Sequence, residues 1–181
     1  VVGGASMGAA TALHAAPLLA GRLRALVLVI PPTAWETRSA QTTIYASTAD
    51  IVERRGVEPL IAASAQLPPP DPFVEVAREH RARRAETLRA TDPRRLARAY
   101  RGARGADLPP VDAIASIGVP ALVLAWSGDP GHPVSTAERL DELIPDSELV
   151  VASTMGELAT WTERVGRFLA ERLADARTPS G

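Results

Sequence analysis

Two uninterrupted apolar runs, Ala25 to Pro32 and Val119 to Trp126, constrain the fold more than any other feature of this 181-residue chain. Neither alternates polar with apolar residues, so neither suits a strand with one face in water, and both are too short to cross a bilayer. Their length and their Val, Leu and Ile content fit strands buried on both faces, as in a parallel sheet covered by helices. Pro31-Pro32 stops the first, and the turn-rich stretch Trp126 to Pro133 follows the second.

The rest of the chain supplies helices at the right places. Val1-Val2-Gly3-Gly4-Ala5-Ser6-Met7-Gly8 reads as the end of a strand and a glycine-rich turn, followed by a helix of small residues disfavoured beyond Pro17. A buried strand is expected over Leu23 to Ile30. From Thr33 to Pro110 the pattern is helical and polar, with Asp71-Pro72 and Asp92-Pro93 as expected N-cap and first-turn pairs. Strands are expected over Val119 to Ala125 and Glu148 to Ala152. Between them, Ser135 and Glu138 have capping-box spacing at the start of a helix that stops before Pro145. Leu158, Trp161, Val165, Phe168, Leu169 and Leu173 recur at helical spacing, which predicts a final amphipathic helix from about Gly156 to Arg177 and a tail over 178–181. Strand and helix in alternation describe an α/β protein with a parallel sheet, and the helical insertion is expected above one end of it.

Composition narrows the chemistry. The length suits one domain, and with no Cys there is neither a disulfide framework nor a thiol nucleophile. Three scattered histidines, His14, His80 and His132, have no metal-ligand spacing, so neither a metal nor another cofactor is expected. Ten Arg against five acidic residues fill 71–105, but Glu75, Glu79 and Glu86 alternate with them, which fits a solvated, salt-bridged face better than a nucleic-acid groove. No signal peptide or membrane span is legible, so a cytoplasmic protein without membrane or nucleic-acid partners is expected. Val1 is not an initiator Met, and the chain is expected to begin inside a longer protein.

Gly4-Ala5-Ser6-Met7-Gly8 has the form G-x-S-x-G, the nucleophile elbow, with a strand before it and a helix after it. The turn is expected to need small residues at Gly4 and Gly8, which leaves the Ser6 hydroxyl exposed at the helix start. There the Met7 N–H and the helix dipole favour a developing oxyanion. A dinucleotide-binding register, Gly3-x-Ala5-x-x-Gly8, fits less well. It puts Ala where glycine must let the backbone approach pyrophosphate, and the next strand ends in two prolines instead of an acidic residue. A glycine turn with an idle serine is the remaining alternative.

On these residues the chain resembles the C-terminal part of the α/β-hydrolase family over nearly its whole length, and the leading strands of that fold are expected to lie upstream. The resemblance implies a parallel sheet with helices on both faces, a core of residues 1–32 and 111–177, and an inserted helical cap over 33–110. Ile117 to Leu124 resembles the strand leading to the catalytic acid, which falls on Asp129 in Gly128-Asp129-Pro130-Gly131-His132-Pro133. An Asx turn before Pro130 is the structural alternative for Asp129.

In that family the histidine follows the last strand, yet Val151 to Glu157 contains none. His14 lies eight residues beyond Ser6, roughly 12 Å along a helix, and is expected to pack against the cap or sheet. His80 sits among arginines as a surface residue. His132 shares a loop with Asp129 and could serve as a displaced base; otherwise it lines the pocket, and the base comes from upstream of Val1. The expected activity is hydrolysis of a small-molecule ester, thioester or lactone through an acyl-enzyme on Ser6. A serine in the elbow argues against the family's haloalkane dehalogenases and epoxide hydrolases, which use aspartate there. The alternative is an inert relative that binds a small ligand or partner beneath the cap. The oligomeric state is open. With its central strands left as an open edge, the chain on its own is expected to aggregate, associate or lack activity.

Overall fold

A computed structural model describes residues 1–19 and 21–174. Four strands, β1 (Val2–Ala5), β2 (Leu26–Val29), β3 (Ala121–Trp126) and β4 (Ser147–Ala152), form one sheet in the order β1-β2-β3-β4. All three pairings are parallel, with Val2 opposite Leu26, Leu26 opposite Ala121 and Ala121 opposite Ser147. The apolar runs therefore occupy the two central strands, where both faces need cover.

Alternation along those strands sorts the two faces. Leu26, Leu28, Ala121, Val123 and Ala125 pack against α1 (Met7–Leu18), α6 (Val111–Ala115) and α7 (Val134–Leu143) through Leu13, Ile114 and Leu140. Ala25, Leu122 and Leu124 point the other way, with Val27 and Val29, onto Phe168 and Val165 of α9 (Trp161–Ala174). Successive parallel strands added in one direction keep right-handed crossover helices on one face. Among the described residues, α9 is the helix that covers the other face. Leu13, Leu26, Leu28, Leu122 and Leu124 are fully buried, and each contributes roughly 1.5–3 kcal/mol by leaving water. No helix among the described residues is long and apolar enough to cross a membrane.

Between β2 and β3 the chain forms α2 (Arg38–Arg55), α3 (Glu58–Ala65), α4 (Ala77–Arg89) and α5 (Pro93–Gly105), with short 3-10 turns at Trp35–Thr37 and Asp71–Phe73. Small buried residues, Ala49 and Val52 on α2 and Ala97 and Ala103 on α5, let these two helices pack closely, and Tyr45 and Tyr100 meet at 5.9 Å between centroids. Arginines bridge the insertion's helices through Arg89 to Glu58 at 2.8 Å and Arg101 to Glu53. These pairs join different helices; they are not neighbours one turn apart on the same helix.

Several local expectations change. The helix after the β3 loop starts at Val134 with Pro133 as its N-cap and no side-chain cap bond, so Ser135 lies inside the first turn and forms no capping box with Glu138. A capping box instead opens α8 (Met155–Ala159), where Thr154 Oγ1 accepts the Glu157 N–H and Glu157 Oε2 accepts the N–H groups of Ser153 and Thr154. The final amphipathic stretch is thereby two helices, with a break at Thr160; its expected end at Arg177, and the tail 178–181, lie outside the described residues. Asp92 caps α5 by accepting the Arg94 N–H, as expected. Asp71 is not an N-cap: it sits inside a 3-10 turn, and its N–H donates to the Ser127 carbonyl.

Candidate active site

The elbow forms where β1 gives way to α1. Ser6 has φ 54° and ψ −114°, a strained backbone for a residue with a Cβ, and such strain concentrates at functional sites. Its N–H donates to the Val29 carbonyl at 2.9 Å, and its own carbonyl accepts the Ala10 N–H at 3.2 Å. The turn is therefore tied both to the neighbouring strand and to the helix it opens. Ile30, at the end of β2, also has positive φ (41°), so strain gathers along the carboxyl end of the sheet, where open α/β sheets bind their ligands.

Two glycines allow close approach here, Gly4 where α1 crosses β1 and Gly3 where β1 lies against β2, and they are not the pair expected. A Cβ on Gly4 would lie 2.6 Å from the Gly8 carbonyl carbon, and one on Gly3 would lie 2.7 Å from the Val27 oxygen. A Cβ on Gly8 would meet nothing within 4 Å. The requirement for a small residue holds at Gly4 and fails at Gly8, because Gly8 presents its backbone, not its Cβ direction, to the strand.

Asp129 and His132 sit in the loop between β3 and α7. Gly128, at φ 76°, starts a turn in which Asp129 Oδ1 accepts the Gly131 N–H at 2.9 Å and the Asp129 carbonyl accepts the His132 N–H at 3.1 Å. The Asx turn considered for Asp129 is thus real, and it coexists with a second use of the carboxylate. Three residues of tight turn place the imidazole over the Asp129 carboxylate, with His132 Nδ1 2.8 Å from Asp129 Oδ2. His132 Nε2 then lies 2.8 Å from Ser6 Oγ. Both side chains of the loop pair are about one-fifth exposed, so their attraction is only partly screened by water. The Thr33 N–H donates to the Gly131 carbonyl at 3.3 Å and ties the start of the insertion to this loop.

Burial raises the Asp129 carboxyl, but hydrogen bonds from His132, the Trp126 indole and the Gly131 N–H, together with the His132 charge, outweigh it and bring the carboxyl down to about 2. Its folded value lies below its unfolded one, so its contribution to stability is present above about pH 4 and is lost as the pH falls towards 2. In acid unfolding, a loss of roughly 2 kcal/mol across that window is expected, reduced in Asp129→Asn. Equal acid sensitivity of the two proteins would show that the carboxylate is not held in this way.

Met7 begins α1, so its N–H has no intrahelical acceptor and is free to meet an oxyanion. The other histidines stay away from Ser6. His14 is exposed, and instead of packing as expected it sets its Nε2 2.9 Å from the Asp107 carbonyl. His80 is half-buried and not a plain surface residue; its ring stacks on Phe73 at 4.2 Å, and burial, then the charges of Arg84 and Arg81, lower its pKa. After β4, Ser153 stands where the resemblance implies histidine nearby, and its hydroxyl meets that of Ser127 at 3.0 Å. Sequence reasoning missed Gly3 and Trp126, whose indole N–H donates to Asp129 Oδ2 at 3.0 Å. The only prior sign of Trp126 was an aromatic residue at a strand end three positions before the acid.

No family model and no curated protein sequence matches the chain. Solved structures do. A thermophilic esterase from Thermogutta terrifontis is 22% identical over 97% of this chain and 65% of its own, with a TM-score of 0.74. An enol-lactonase from Burkholderia xenovorans LB400 is 20% identical over 93% of this chain and 64% of its own, at 0.75. MenH from S. aureus is 23% identical over 94% of this chain and 68% of its own, at 0.69. The chain thus spans about two thirds of the length of these structures, and over that span it has the α/β-hydrolase fold.

Proposed function

We propose that the chain carries the catalytic centre of a serine hydrolase acting on an ester, thioester or lactone. The observation behind this reading is the unbroken hydrogen-bonded line Ser6–His132–Asp129, with its nucleophile on a strained elbow. Ser6 Oγ attacks the acyl carbon while its proton passes to His132 Nε2, and Asp129 stabilises the imidazolium. The carbonyl oxygen becomes an oxyanion facing the Met7 N–H. When the tetrahedral species collapses, the bond to the leaving oxygen or sulfur breaks and His132 returns the proton to it. Water then attacks the acyl-Ser6 ester and loses its proton to His132; the acyl–Oγ bond breaks, His132 passes that proton to Ser6 Oγ, and the acid leaves.

The insertion over 33–110 would act as the cap over this centre, held to it through Thr33 and Asp71. Chain order Ser, Asp, His is that of the fold's usual triad, with the base supplied three residues after the acid instead of after the last strand.

A fluorophosphonate probe should label the protein, and Ser6→Ala should abolish the label. Equal labelling of both would remove Ser6 as nucleophile. A folded protein that takes no label would leave the inert, ligand-binding relative as the better reading.

A further inference from the structure

We propose that Trp126 is a positioning residue for the acid of this site: its indole N–H shares Oδ2 of Asp129 with His132, and so limits how firmly that oxygen holds an imidazolium. The inference rests on the triad reading of Ser6, His132 and Asp129. Each carboxylate oxygen has its own task. Oδ1 is committed to the Gly131 N–H at 2.9 Å, while Oδ2 faces His132 Nδ1 at 2.8 Å and Trp126 Nε1 at 3.0 Å. Two donors on one oxygen divide its charge. With only the imidazole, Oδ2 would hold an imidazolium more tightly, and the proton taken from Ser6 would pass less readily to the leaving group.

The indole is fixed from several directions. It is the last residue of β3, so its backbone belongs to the sheet. Trp161, at the start of α9, stacks nearly parallel at 6.0 Å between centroids, and Phe73 of the insertion meets it edge-on at 5.3 Å. Within the stacked pair the two indoles differ. The buried N–H of Trp161 has no partner, whereas that of Trp126 is spent on the acid. Buried indoles normally find an acceptor, and here the acceptor is the one atom that sets the base.

Among the described residues, the Asp71 carboxylate lies against Gly128, and His80, stacked on Phe73 beside Trp126, feels the Asp129 charge.

The test reads the Trp126 indole proton by nuclear magnetic resonance in the full chain, beside the kinetics of Trp126→Phe. In the unmodified chain that proton should move on Asp129→Asn, which weakens its acceptor, while the indole proton of Trp161, which has no partner, stays in place. An indole proton indifferent to Asp129→Asn overturns the proposal. Trp126→Phe keeps an aromatic ring between Trp161 and Phe73 and removes the N–H. Its kcat on an aryl ester should fall about threefold with KM little changed, and a parental kcat in folded Trp126→Phe also overturns the proposal. Because the indole measurement needs no catalysis, loss of the Ser6 labelling result and loss of this one are separate outcomes.

Discussion

His132→Ala should lower turnover of a simple aryl ester by about 10³-fold or more, with KM changing far less. Ser6 Oγ has a neighbouring base at 2.8 Å in His132 Nε2, and the other histidines among the described residues are committed elsewhere, His14 to the Asp107 carbonyl and His80 to the face of Phe73. Without the base, the hydroxyl must lose its proton to water during attack. Asp129→Asn should cost a similar factor, because an amide cannot stabilise the imidazolium and can turn its NH₂ towards Nδ1, which favours the wrong tautomer. The double variant should be scarcely worse than either single one, since the residues act as a unit. His14→Ala and His80→Ala should stay within a few-fold of the parent. Steady-state kinetics on the parent and the five variants decides the matter, and an unchanged kcat for His132→Ala would end the displaced-base reading.

The two central strands were legible because a buried parallel strand leaves a local signature: an unbroken apolar run such as Ala25 to Ile30, stopped by Pro31-Pro32, needs no tertiary information. The elbow was legible for a similar reason, as a short motif between a strand and a helix. His132 was harder. Sequence gives its spacing of three from Asp129 but not that a positive-φ Gly128 and an Asx turn fold those residues back, nor that strand order sets this loop beside Ser6, 126 residues away in the chain. The order β1-β2-β3-β4 brings the ends of β1 and β3 within reach of each other on either side of β2, and only the folded sheet shows it. Capping was misread at Ser135 and Glu138, and the box at Thr154 and Glu157 was not anticipated. Ser135-x-x-Glu138 and Thr154-x-x-Glu157 share the pattern, but Pro133 already occupies the N-cap in the first case, so only the second is used. Trp126 escaped notice because its role lies in one N–H whose acceptor depends on the turn that follows.

Gly4→Ala should destabilise the protein by about 3 kcal/mol and remove Ser6 labelling, whereas Gly8→Ala should fold at least as well as the parent. The two glycines flank the nucleophile symmetrically in sequence and asymmetrically in space. A methyl on Gly4 would meet the carbonyl carbon, Cα and oxygen of Gly8 at 2.6, 2.8 and 2.9 Å, all backbone atoms of the first turn of α1. Relief requires the helix to move off β1, which drags the Met7 N–H and the Ser6 hydroxyl out of line with His132. A chain of this size should melt roughly 6 to 12 °C lower for such a loss. At Gly8 the added methyl points into open space within a helix, where alanine is favoured over glycine by up to about 1 kcal/mol. Thermal melts of the two variants, read beside fluorophosphonate labelling, separate these expectations. A Gly4→Ala protein with parental melting and labelling would show that strand and helix do not cross as closely as described, and the strained elbow would then be no basis for a nucleophile at Ser6.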